Sequence, residues 1–431
     1  MTDPDRLYKE VRFELEDLKT AFLIGAHIKG EAEICEDHLR ELASLADTYG
    51  FEVLHCEACP IKKIEAGTYI GKGKLDELAM KASAMDVDVI IFDDEISPNQ
   101  QRNIEGYFQK PVIDRTELIL EVFAKRAQTK EARLQIELAK ARYQLPRLKR
   151  LWTHLSRQSA GGGAYLKGEG EKQIEIDRRL VKKRIHSLKE DIELVRKNRA
   201  TQRARRLRVG VPSFAIVGYT NAGKSTLMNR LTHAGILAED KLFATLDTTT
   251  RKYSLPNHQA VVLIDTVGFI RKTPTTLIAA FKSTLEESLY TDILLHVIDA
   301  SHLAAIEQAD ETIRILNELG AVNKPTITVL NKIDQCENRV MLYRFKTKYP
   351  KAVAISAKTG DGLNELHDKM IEMIETLRNV YYLRIPQSHY EIAAEVMREG
   401  RVISCDYEAN DILLTVDMPK QLEHKIKEFV T

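Results

Sequence analysis

Short apolar runs alternate with amphipathic stretches along the first part of the chain. Apolar runs of strand length lie at residues 21–26, 51–54 and 87–92. Between them, residues 31–49 and 75–84 repeat apolar positions with the spacing of one helix face. Strands that alternate with helices indicate a mostly parallel sheet. The pattern therefore predicts a small α/β domain over residues 1–115.

Two heptad series follow in the middle of the chain. Their apolar residues step alternately by four and three positions, the spacing of helices that pack along one another. The first series lies in a predicted helix at 116–158, which Pro146 should kink, and the second predicts a helix from about 172 to 208. Residues 159–171 between them are too rich in glycine to be helical. We predict an antiparallel helical hairpin over residues 116–206, with a flexible tip.

Apolar runs that end in polar loops recur over residues 207–378. These runs lie at 214–217, 261–264, 326–330 and 353–355. An open α/β sheet produces this pattern, because its functional loops leave the carboxyl ends of parallel strands. Residues 379–431 predict a small α+β module, with a linker at Ile385-Pro386, strands at 392–398 and 413–416, and a helix at 420–429.

Composition and charge add limits to this picture. The chain has 431 residues, of which 44% are hydrophobic, which is enough for several domains with their own cores. The net charge of +1 conceals a segregation, because residues 125–210 hold 25 Lys/Arg against 9 Asp/Glu, which is +16 and leaves −15 for the remainder. One strongly basic segment favours a polyanionic partner. We expect the hairpin to contact nucleic acid, in preference to a plain coiled-coil spacer with solvated charges.

Cysteine usage and hydropathy indicate the compartment. Five cysteines, an odd number, argue against a disulfide framework and for a reducing cytosol. Cys56 and Cys59 have C-x-x-C spacing, but no second ligand pair at zinc spacing accompanies them, so ordinary thiols are the better interpretation. The first residues are polar, and no segment has the apolar length of a membrane span. We expect a cytoplasmic protein without a transmembrane segment, and peripheral membrane association is not indicated.

Two polar stretches of the N-terminal domain admit alternatives. The glycine-rich turn at 67–74 could hold a phosphate at the following helix, but it lacks a full fingerprint, and a structural turn is favoured. Asp93-Asp94-Glu95 ends a predicted strand, where a solvated strand end is favoured over a metal site.

A full match to G-x-x-x-x-G-K-[ST] follows the apolar run at 214–217. The motif comprises Gly218, Tyr219, Thr220, Asn221, Ala222, Gly223, Lys224 and Ser225. Glycines let the backbone wrap around a polyphosphate with its N–H groups pointing inward, and the helix that follows adds its positive end. We expect Lys224 to reach the β- and γ-phosphates and Ser225 to ligate Mg²⁺.

Three further motifs follow at predicted strand ends: Asp265-Thr266-Val267-Gly268, Asn331-Lys332-Ile333-Asp334 and Ser356-Ala357-Lys358. Asp265 should hold the Mg²⁺ shell, and Gly268 can bring its amide up to the γ-phosphate. Asp334 can accept two hydrogen bonds from guanine, which adenine cannot offer. Backbone amides of the third motif can meet the guanine carbonyl. Together with the P-loop, these motifs predict a GTP-binding domain.

The loop between the P-loop and Asp265 occupies the place of switch I. One threonine there should complete the Mg²⁺ shell when GTP is present, and the residues alone do not choose among Thr245, Thr248, Thr249 and Thr250. After Gly268 comes Phe269, where many GTPases have a water-orienting glutamine. A phenyl ring cannot orient water by hydrogen bonding, so we expect slow intrinsic hydrolysis that depends on a partner.

The chain resembles the HflX family of GTPases, within the Obg–HflX group, along its whole length. The likeness rests on segments at 67–74, 144–148, 155–157, Glu171, 177–179 and 243–247. The resemblance implies a cytosolic GTPase that binds the large ribosomal subunit through its rRNA and splits ribosomes, with the hairpin near the peptidyl-transferase region. It also selects Thr245 as the switch I threonine, within Phe243, Ala244, Thr245, Leu246 and Asp247. The tip reads Gly168-Glu169-Gly170-Glu171 where the family usually has Gly-Pro-Gly-Glu, and Thr248 stands where it usually has proline.

The leading hypothesis is a monomeric, ribosome-activated GTPase with a P-loop (Ras-like) domain, which binds GTP and GDP. The catalytic candidates are Lys224, Thr245 and Gly268, and the Mg²⁺ ligands are Ser225, Thr245 and Asp265. The alternative is an RNA-binding or RNA-remodelling protein whose nucleotide domain only gates RNA binding. A membrane-linked regulator is a third hypothesis, weakened because no lipidation signal is present.

Overall fold

The computed structural model describes residues 18–148, 167–207, 211–232, 242–243, 249–272, 290–321, 324–336, 339–349, 351–408, 410–420 and 423–431. The chain divides into two compact units. Unit 1 comprises residues 1–196, 239–247 and 269–284, and unit 2 comprises residues 197–238, 248–268 and 285–431. Within the described ranges, no helix is both long enough and apolar enough to cross a membrane.

A four-stranded parallel sheet forms the centre of unit 1. Its strands, in the order β2-β1-β3-β4, are β1 (Thr20–His27), β2 (Glu52–Pro60), β3 (Val89–Phe92) and β4 (Val112–Asp114). The helices between them are α1 (Ala32–Tyr49), α2 (Lys72–Ala84) and α3 (Pro98–Phe108). All four residues of β3 are buried, as expected for a strand of a covered parallel sheet. The predicted α/β fold of this region is confirmed.

The turn at 67–74 is held by side chains of α3, which supports the structural interpretation. Asn103 Nδ2 donates to the Gly67 carbonyl at 2.8 Å, and Gln100 Nε2 donates to the Glu65 carbonyl at 2.9 Å. The Thr68 hydroxyl donates to the Ile70 carbonyl at 2.8 Å. Because α2 begins at Lys72, the end of the predicted turn is helical.

Two of the three carboxylates that follow β3, Asp93 and Asp94, are held in ion pairs. Asp93 is 2% exposed, and it accepts hydrogen bonds from Arg115 Nη1 at 2.7 Å and from Lys272 Nζ at 2.5 Å. Lys272 also donates to Asp94 Oδ1 at 2.5 Å, and Arg115 donates to Glu41. We call these five residues, all in unit 1, the carboxylate cluster. The expectation of a solvated strand end is wrong for Asp93 and Asp94, because cations from distant sequence positions neutralise them, whereas Glu95 is exposed as expected. Nor does the described part of the chain hold a group of His, Cys, Asp and Glu side chains suited to a metal.

The C-x-x-C pair lies on β2, with Cys56 exposed and Cys59 buried, and both are free thiols. Positions three apart on a strand point to opposite faces, so the two sulfurs do not form one binding site. Burial raises the pKa of Cys59 to about 12, which leaves it an inert thiol.

The helix predicted at 116–158 is interrupted. The structure has α4 (Arg115–Arg126) and α5 (Lys130–Gln144), followed by a 3₁₀ turn at Leu145–Arg147 that contains Pro146. Ala127 is extended, and the Thr129 hydroxyl accepts a hydrogen bond from the Ala132 amide at 3.2 Å, so a new helix starts there. The prediction of a single helix through this region is therefore wrong, because Thr129 caps the start of a second helix.

The helical hairpin is present in the described residues. Helix α6 (Lys167–Leu207) packs against α5 and the turn after it through two apolar clusters, formed by Leu138, Leu188 and Ile192 and by Ala141, Leu148 and Val181. Leu138 packs with Leu188 and Ile192, whereas the later residues Ala141 and Leu148 pack with the earlier Val181, so the two helices are antiparallel. Helix α6 starts at Lys167 and not near 172, so Gly168 and Gly170 are helical. Glycine costs only about 1 kcal/mol per helical residue, which a helix of 41 residues can bear near its end. The remainder of the predicted tip lies outside the described residues.

The larger part of unit 2 is a six-stranded sheet in the order β10-β9-β8-β5-β7-β6. Its strands are β5 (Ser213–Gly218), β6 (Thr249–Ser254), β7 (Ala260–Asp265), β8 (Ile293–Asp299), β9 (Thr326–Asn331) and β10 (Val353–Ala354). The described helices of this part are α7 (Lys224–Thr232), α8 (Ala305–Glu318), α9 (Arg339–Lys348) and α10 (Leu363–Thr376). Only β6 pairs antiparallel, so the carboxyl ends of β5, β7, β8, β9 and β10 meet at one edge.

The C-terminal module has a three-stranded antiparallel sheet in the order β11-β13-β12. Its elements are β11 (Arg378–Pro386), α11 (Tyr390–Glu399), β12 (Arg401–Glu408), β13 (Asp411–Pro419) and α12 (Glu423–Ile426). Three expectations are wrong: the strand at 392–398 is helix α11, Ile385-Pro386 ends a strand, and the helix at 420–429 is short. The buried positions Ala393 and Val396 are three apart, which suits a helix and not an alternating strand. The strand at 413–416 is confirmed within β13, and so is the overall α/β class.

Candidate functional site: a nucleotide cradle

The P-loop joins the central strand β5 to helix α7. Gly218 ends β5 and Lys224 begins α7, so the loop lies at the carboxyl edge of the sheet. Gly223 has a φ of +90°, and a Cβ there would come within 2.2 Å of Asn331 Nδ2. Only glycine fits both constraints. The backbone therefore forms a close-fitting concave loop in front of a helix N-terminus, as a bound phosphate requires.

Lys224 is buried at the start of α7. Its Nζ donates to the Tyr219 carbonyl at 2.7 Å within the loop. Burial lowers the pKa of Lys224 to about 8, and the charge of Asp265 opposes only part of that effect. A cation that is desolvated to this extent suits an anionic ligand, which would restore its charge balance.

Ser225 and Asp265 bring two hard oxygen donors together. The Ser225 hydroxyl donates to Asp265 Oδ2 at 2.9 Å, and Asp265 is fully buried at the end of β7. The Thr266 hydroxyl donates to the Ile216 carbonyl at 2.7 Å, which fixes the start of this motif against β5. Hydroxyl and carboxylate oxygens are ligands that Mg²⁺ prefers, so the residues fit the metal expected from the sequence.

Gly268 brings the backbone after β7 close to the P-loop. A Cβ at this position would lie 2.9 Å from both the Thr220 Cα and Lys224 Nζ, so no side chain fits without displacing the loop. Within the described residues, the buried Thr220 hydroxyl beside it has no hydrogen-bond partner. Val267, the residue before Gly268, is buried.

Asn331 ties the remaining two motifs to the P-loop. Its Nδ2 donates to the Ala222 carbonyl at 2.8 Å, and its Oδ1 accepts from the Ala357 amide at 2.9 Å. Asn331 is itself buried at the end of β9. One side chain therefore fixes the P-loop, the strand that carries the N-K-x-D motif, and the S-A-K loop relative to one another.

Asp334 lies in a 3₁₀ turn just beyond β9 and is exposed. Lys332 precedes the turn in a left-handed conformation, with φ 62°. The Ile333 amide donates to the Ile355 carbonyl at 3.3 Å, and the buried Ser356 accepts from the Thr359 amide at 3.1 Å. Lys358 lies next to Thr359 in the chain. An accessible carboxylate beside rigid backbone amides is an arrangement that can read a base edge.

The structure adds one residue that the sequence motifs do not indicate. Asp299 ends β8, and its Oδ2 lies 2.8 Å from Lys332 Nζ. A carboxylate at the carboxyl end of a strand between β5 and β9 is a signal that could have identified it.

Most of the predicted switch I lies outside the described residues, namely Ala244, Thr245, Leu246 and Asp247, together with Thr248. The described Phe243 belongs to unit 1, where its ring lies 4.4 Å from that of Phe123 in an edge-on contact. Thr249 and Thr250 lie in β6. Phe269 also belongs to unit 1 and is buried.

An open α/β sheet whose carboxyl edge gathers a P-loop, a D-x-x-G, an N-K-x-D and an S-A-K motif defines a P-loop GTPase. Matches to family models along the chain support this class of protein. A "GTP-binding GTPase N-terminal" model matches residues 36–124, a "GTP-binding GTPase Middle Region" model matches 126–206, and a "50S ribosome-binding GTPase" model matches 213–332. Full-length relatives identify the particular family. The chain belongs to the HflX family of GTPases.

Two of these relatives show how far the likeness extends. A GTPase HflX of Chlamydia pneumoniae is 47% identical over 428 residues, covering 97% of this chain and 91% of the relative. The Escherichia coli K12 GTPase HflX is 41% identical over 377 residues, covering 87% of this chain and 86% of the relative. A GTP-binding protein of Sulfolobus solfataricus, solved with GDP, is 28% identical with a TM-score of 0.44, covering 84% of this chain and 100% of that one.

Proposed function

We propose that this GTPase binds the large ribosomal subunit and couples GTP binding and hydrolysis to ribosome splitting or rescue. The observation that carries the proposal is a nucleotide cradle in the same chain as a long hairpin helix with a basic outer surface. The cradle supplies a switchable nucleotide site, and the hairpin supplies a surface for the phosphate backbone of rRNA.

The cradle divides the nucleotide among its motifs. Residues 218–225 would enclose the phosphates, with Lys224 on the β- and γ-phosphates and the Gly268 amide on the γ-phosphate. Asp334 would accept hydrogen bonds from guanine, and the amides of residues 356–358 would meet its carbonyl. Mg²⁺ would be held by Ser225, Asp265 and Thr245, and when bound it would neutralise charge that develops on the transferred phosphoryl group.

Hydrolysis without a partner should be slow. Phe269 follows Gly268 and cannot orient water by hydrogen bonding, so the water-orienting group is not at this position. Binding to the ribosome would supply or order that group.

The described side chains of α6 support an rRNA contact. Val181, Leu188 and Ile192 face inward, whereas Lys182, Lys183 and Lys189 are exposed. Apolar contacts thus stabilise the hairpin, and the lysines remain available for phosphate contacts, which set affinity more than sequence preference.

The decisive experiment measures GTP hydrolysis by the full chain with purified large subunits, and with purified small subunits as the matched control. We expect the large subunit alone to raise the rate by about 10³-fold or more, by analogy with partner-supplied groups in other GTPases. If RNA is bound without any gain in rate, the alternative of a nucleotide-gated RNA-binding protein is favoured.

A second experiment separates the affinity for the ribosome from the splitting of the ribosome. Replacing Arg203, Arg205 and Arg206 with Gln should weaken ribosome binding and flatten its salt dependence by about 0.7–0.9 per lost phosphate contact. Deleting residues 161–170 should preserve GTP binding and most of the ribosome affinity but abolish splitting. If the tip-deleted protein still splits ribosomes at the normal rate, the hairpin contributes only to binding and not to splitting.

A further inference from the structure

Asp299 is held rigidly at the end of β8. Its Oδ1 accepts hydrogen bonds from the Ser301 amide at 3.0 Å and from the Ser301 hydroxyl at 2.6 Å. Its Oδ2 lies 2.8 Å from Lys332 Nζ, and the Asp299 side chain is 12% exposed. Both carboxylate oxygens therefore have assigned partners in a largely buried position, so this is not an adaptable surface charge.

Lys332 is the residue through which Asp299 could act on the nucleotide site. It has φ 62° and ψ 35°, a left-handed conformation that is disfavoured for a side chain with a Cβ. On one side it is joined to Asn331, which fixes the P-loop and the S-A-K loop. On the other side the Gln335 amide donates to the Lys332 carbonyl at 3.0 Å, closing the turn that contains Asp334.

The backbone around this pair is also fixed to β8. Asp299 lies opposite Asn331 in the parallel pairing of β8 and β9, and the Ala300 amide donates to the Asn331 carbonyl at 3.0 Å. The ion pair thus connects two neighbouring strand ends at the point where the chain enters the left-handed residue. Charge-assisted hydrogen bonds of this kind are strong enough to stabilise a disfavoured backbone conformation.

We propose that Asp299 is a positioning residue for guanine recognition, because its ion pair holds Lys332 in the left-handed conformation that aims the Asp334 turn. This inference rests on the proposed role of Asp334. Asp299 does not itself contact the base. It sets the geometry of the carboxylate that does, so its loss should weaken the selection of guanine and not only the affinity.

The test compares GDP with IDP, which lacks the 2-amino group that Asp334 would bind. In Asp299→Asn, we expect the Kd for GDP to rise about tenfold and the Kd for IDP about threefold, because a mispositioned carboxylate loses the second hydrogen bond first. The rate of hydrolysis at saturating GTP should stay within about twofold, since the phosphate ligands are not altered.

Lys332→Met keeps the length of the side chain and removes its charge, so it should reproduce both changes. The double variant Asp299→Asn/Lys332→Met should be no worse than either single variant, because the two residues act as a pair. The matched control is Asp310→Asn, which removes another carboxylate of unit 2 paired with a lysine, Lys348, at 2.6 Å. We expect no change in either Kd for this control.

Two outcomes would overturn the inference. Unchanged Kd values for GDP and IDP in Asp299→Asn and Lys332→Met would show that the ion pair has no role in nucleotide binding. An equal loss for GDP and IDP, with a lower Tm and additive effects in the double variant, would reduce Asp299 to a structural role. Asp334→Asn tests the underlying assignment separately. If it changes base selection while Asp299→Asn does not, only the present inference fails.

Discussion

Two lysines, one in each unit, have pKa shifts of opposite sign. Lys224 in the nucleotide cradle donates to a backbone carbonyl, and burial lowers its pKa to about 8. Burial also lowers the pKa of Lys272 in the carboxylate cluster, but the charges and hydrogen bonds of Asp93 and Asp94 outweigh that effect and raise its pKa overall. Carboxylates of the chain therefore balance the charge of Lys272, whereas the charge of Lys224 is left for a bound ligand to balance.

This difference separates functional from structural charge. In the carboxylate cluster, each charge has an opposite charge within 3 Å in unit 1, so removing one partner should affect folding. In the cradle, the groups around Lys224 are arranged around a loop that fits phosphate, so removing a side chain should affect ligand binding more than folding. Substitutions in the two regions can therefore break or sharpen the comparison.

The largest expected effect is on base selection. Asp334→Asn replaces one acceptor oxygen with a donor, so guanine loses one of its two hydrogen bonds and places its 2-amino group against another donor, whereas the carbonyl of xanthine at that position gains a matching partner. We expect the ratio of kcat/KM for GTP to that for XTP to fall by about 10⁴-fold. Because Asp334 is exposed, Tm should not change. A ratio that is unaltered would remove the guanine assignment.

Lys224→Met should have the next largest effect. It removes a charge expected to act on the reacting phosphates, and kcat/KM for GTP should fall about 10³-fold. The free energy of unfolding should not fall, because the variant removes a desolvated cation and keeps the length of the side chain. Steady-state kinetics and urea unfolding followed by circular dichroism measure the two effects. A clear loss of stability would show that Lys224, like Lys272, is part of a balanced structural group.

Lys272→Met should give the opposite result. It leaves Asp93 buried with one cation fewer, and we expect the free energy of unfolding to fall by about 2 kcal/mol, because Arg115 still pairs with Asp93. The control is Lys110→Met, since Lys110 pairs at 3.2 Å with Asp86, which is 93% exposed. An exposed pair contributes little, so the control should change stability by less than about 0.5 kcal/mol. Equal effects in the two variants would contradict a special role for the cluster.

The sequence predicts the parts of this molecule that depend on local pattern. Buried strands are recognisable as apolar runs, and the glycines of the nucleotide-binding motifs are recognisable because only glycine tolerates the φ of Gly223 and the close approach at Gly268. The pairings at distant positions are not predictable in this way. Asp93 binds Lys272, which is 179 residues away, and no spacing in the sequence connects them.

The wrong expectations have local causes as well. The heptad series begins at Leu134, beyond Thr129, so periodicity alone does not locate the N-cap that starts α5. Helix α3 is not predicted by the apolar spacing, although Ser97 and Gln100 form a capping box and Pro98 lies in the first turn. In α11, β-branched residues favour a strand, but its burial follows helical spacing. Burial is a property of the packed chain and is not visible in single residues.

The smallest expected effect is the pH dependence of nucleotide binding, and it compares the two lysines directly. With a folded pKa of about 8 against an ordinary 10.5, Lys224 loses its proton in the nucleotide-free chain as the pH rises above about 8. The unfolded chain binds more protons than the folded chain between these values, so Lys224 makes the nucleotide-free protein more stable as the pH rises. The raised pKa of Lys272 has the opposite sign, because its contribution is complete below 10.5 and is lost as the pH passes its folded value.

Phosphate favours the charged form of Lys224, so GDP binding above pH 8 should take up a proton. We expect the Kd for GDP to rise about fivefold from pH 8 to pH 9, because the protonated fraction of Lys224 in the nucleotide-free protein falls over this range. Calorimetry in buffers of different ionisation enthalpy measures the proton uptake, and Lys224→Met should abolish it. Lys272→Met should leave the uptake unchanged, because the charge of Lys272 is already fixed by Asp93 and Asp94. If proton uptake persisted in Lys224→Met, another group in the cradle would be titrating, and the contrast between the two lysines would no longer explain how the site binds phosphate.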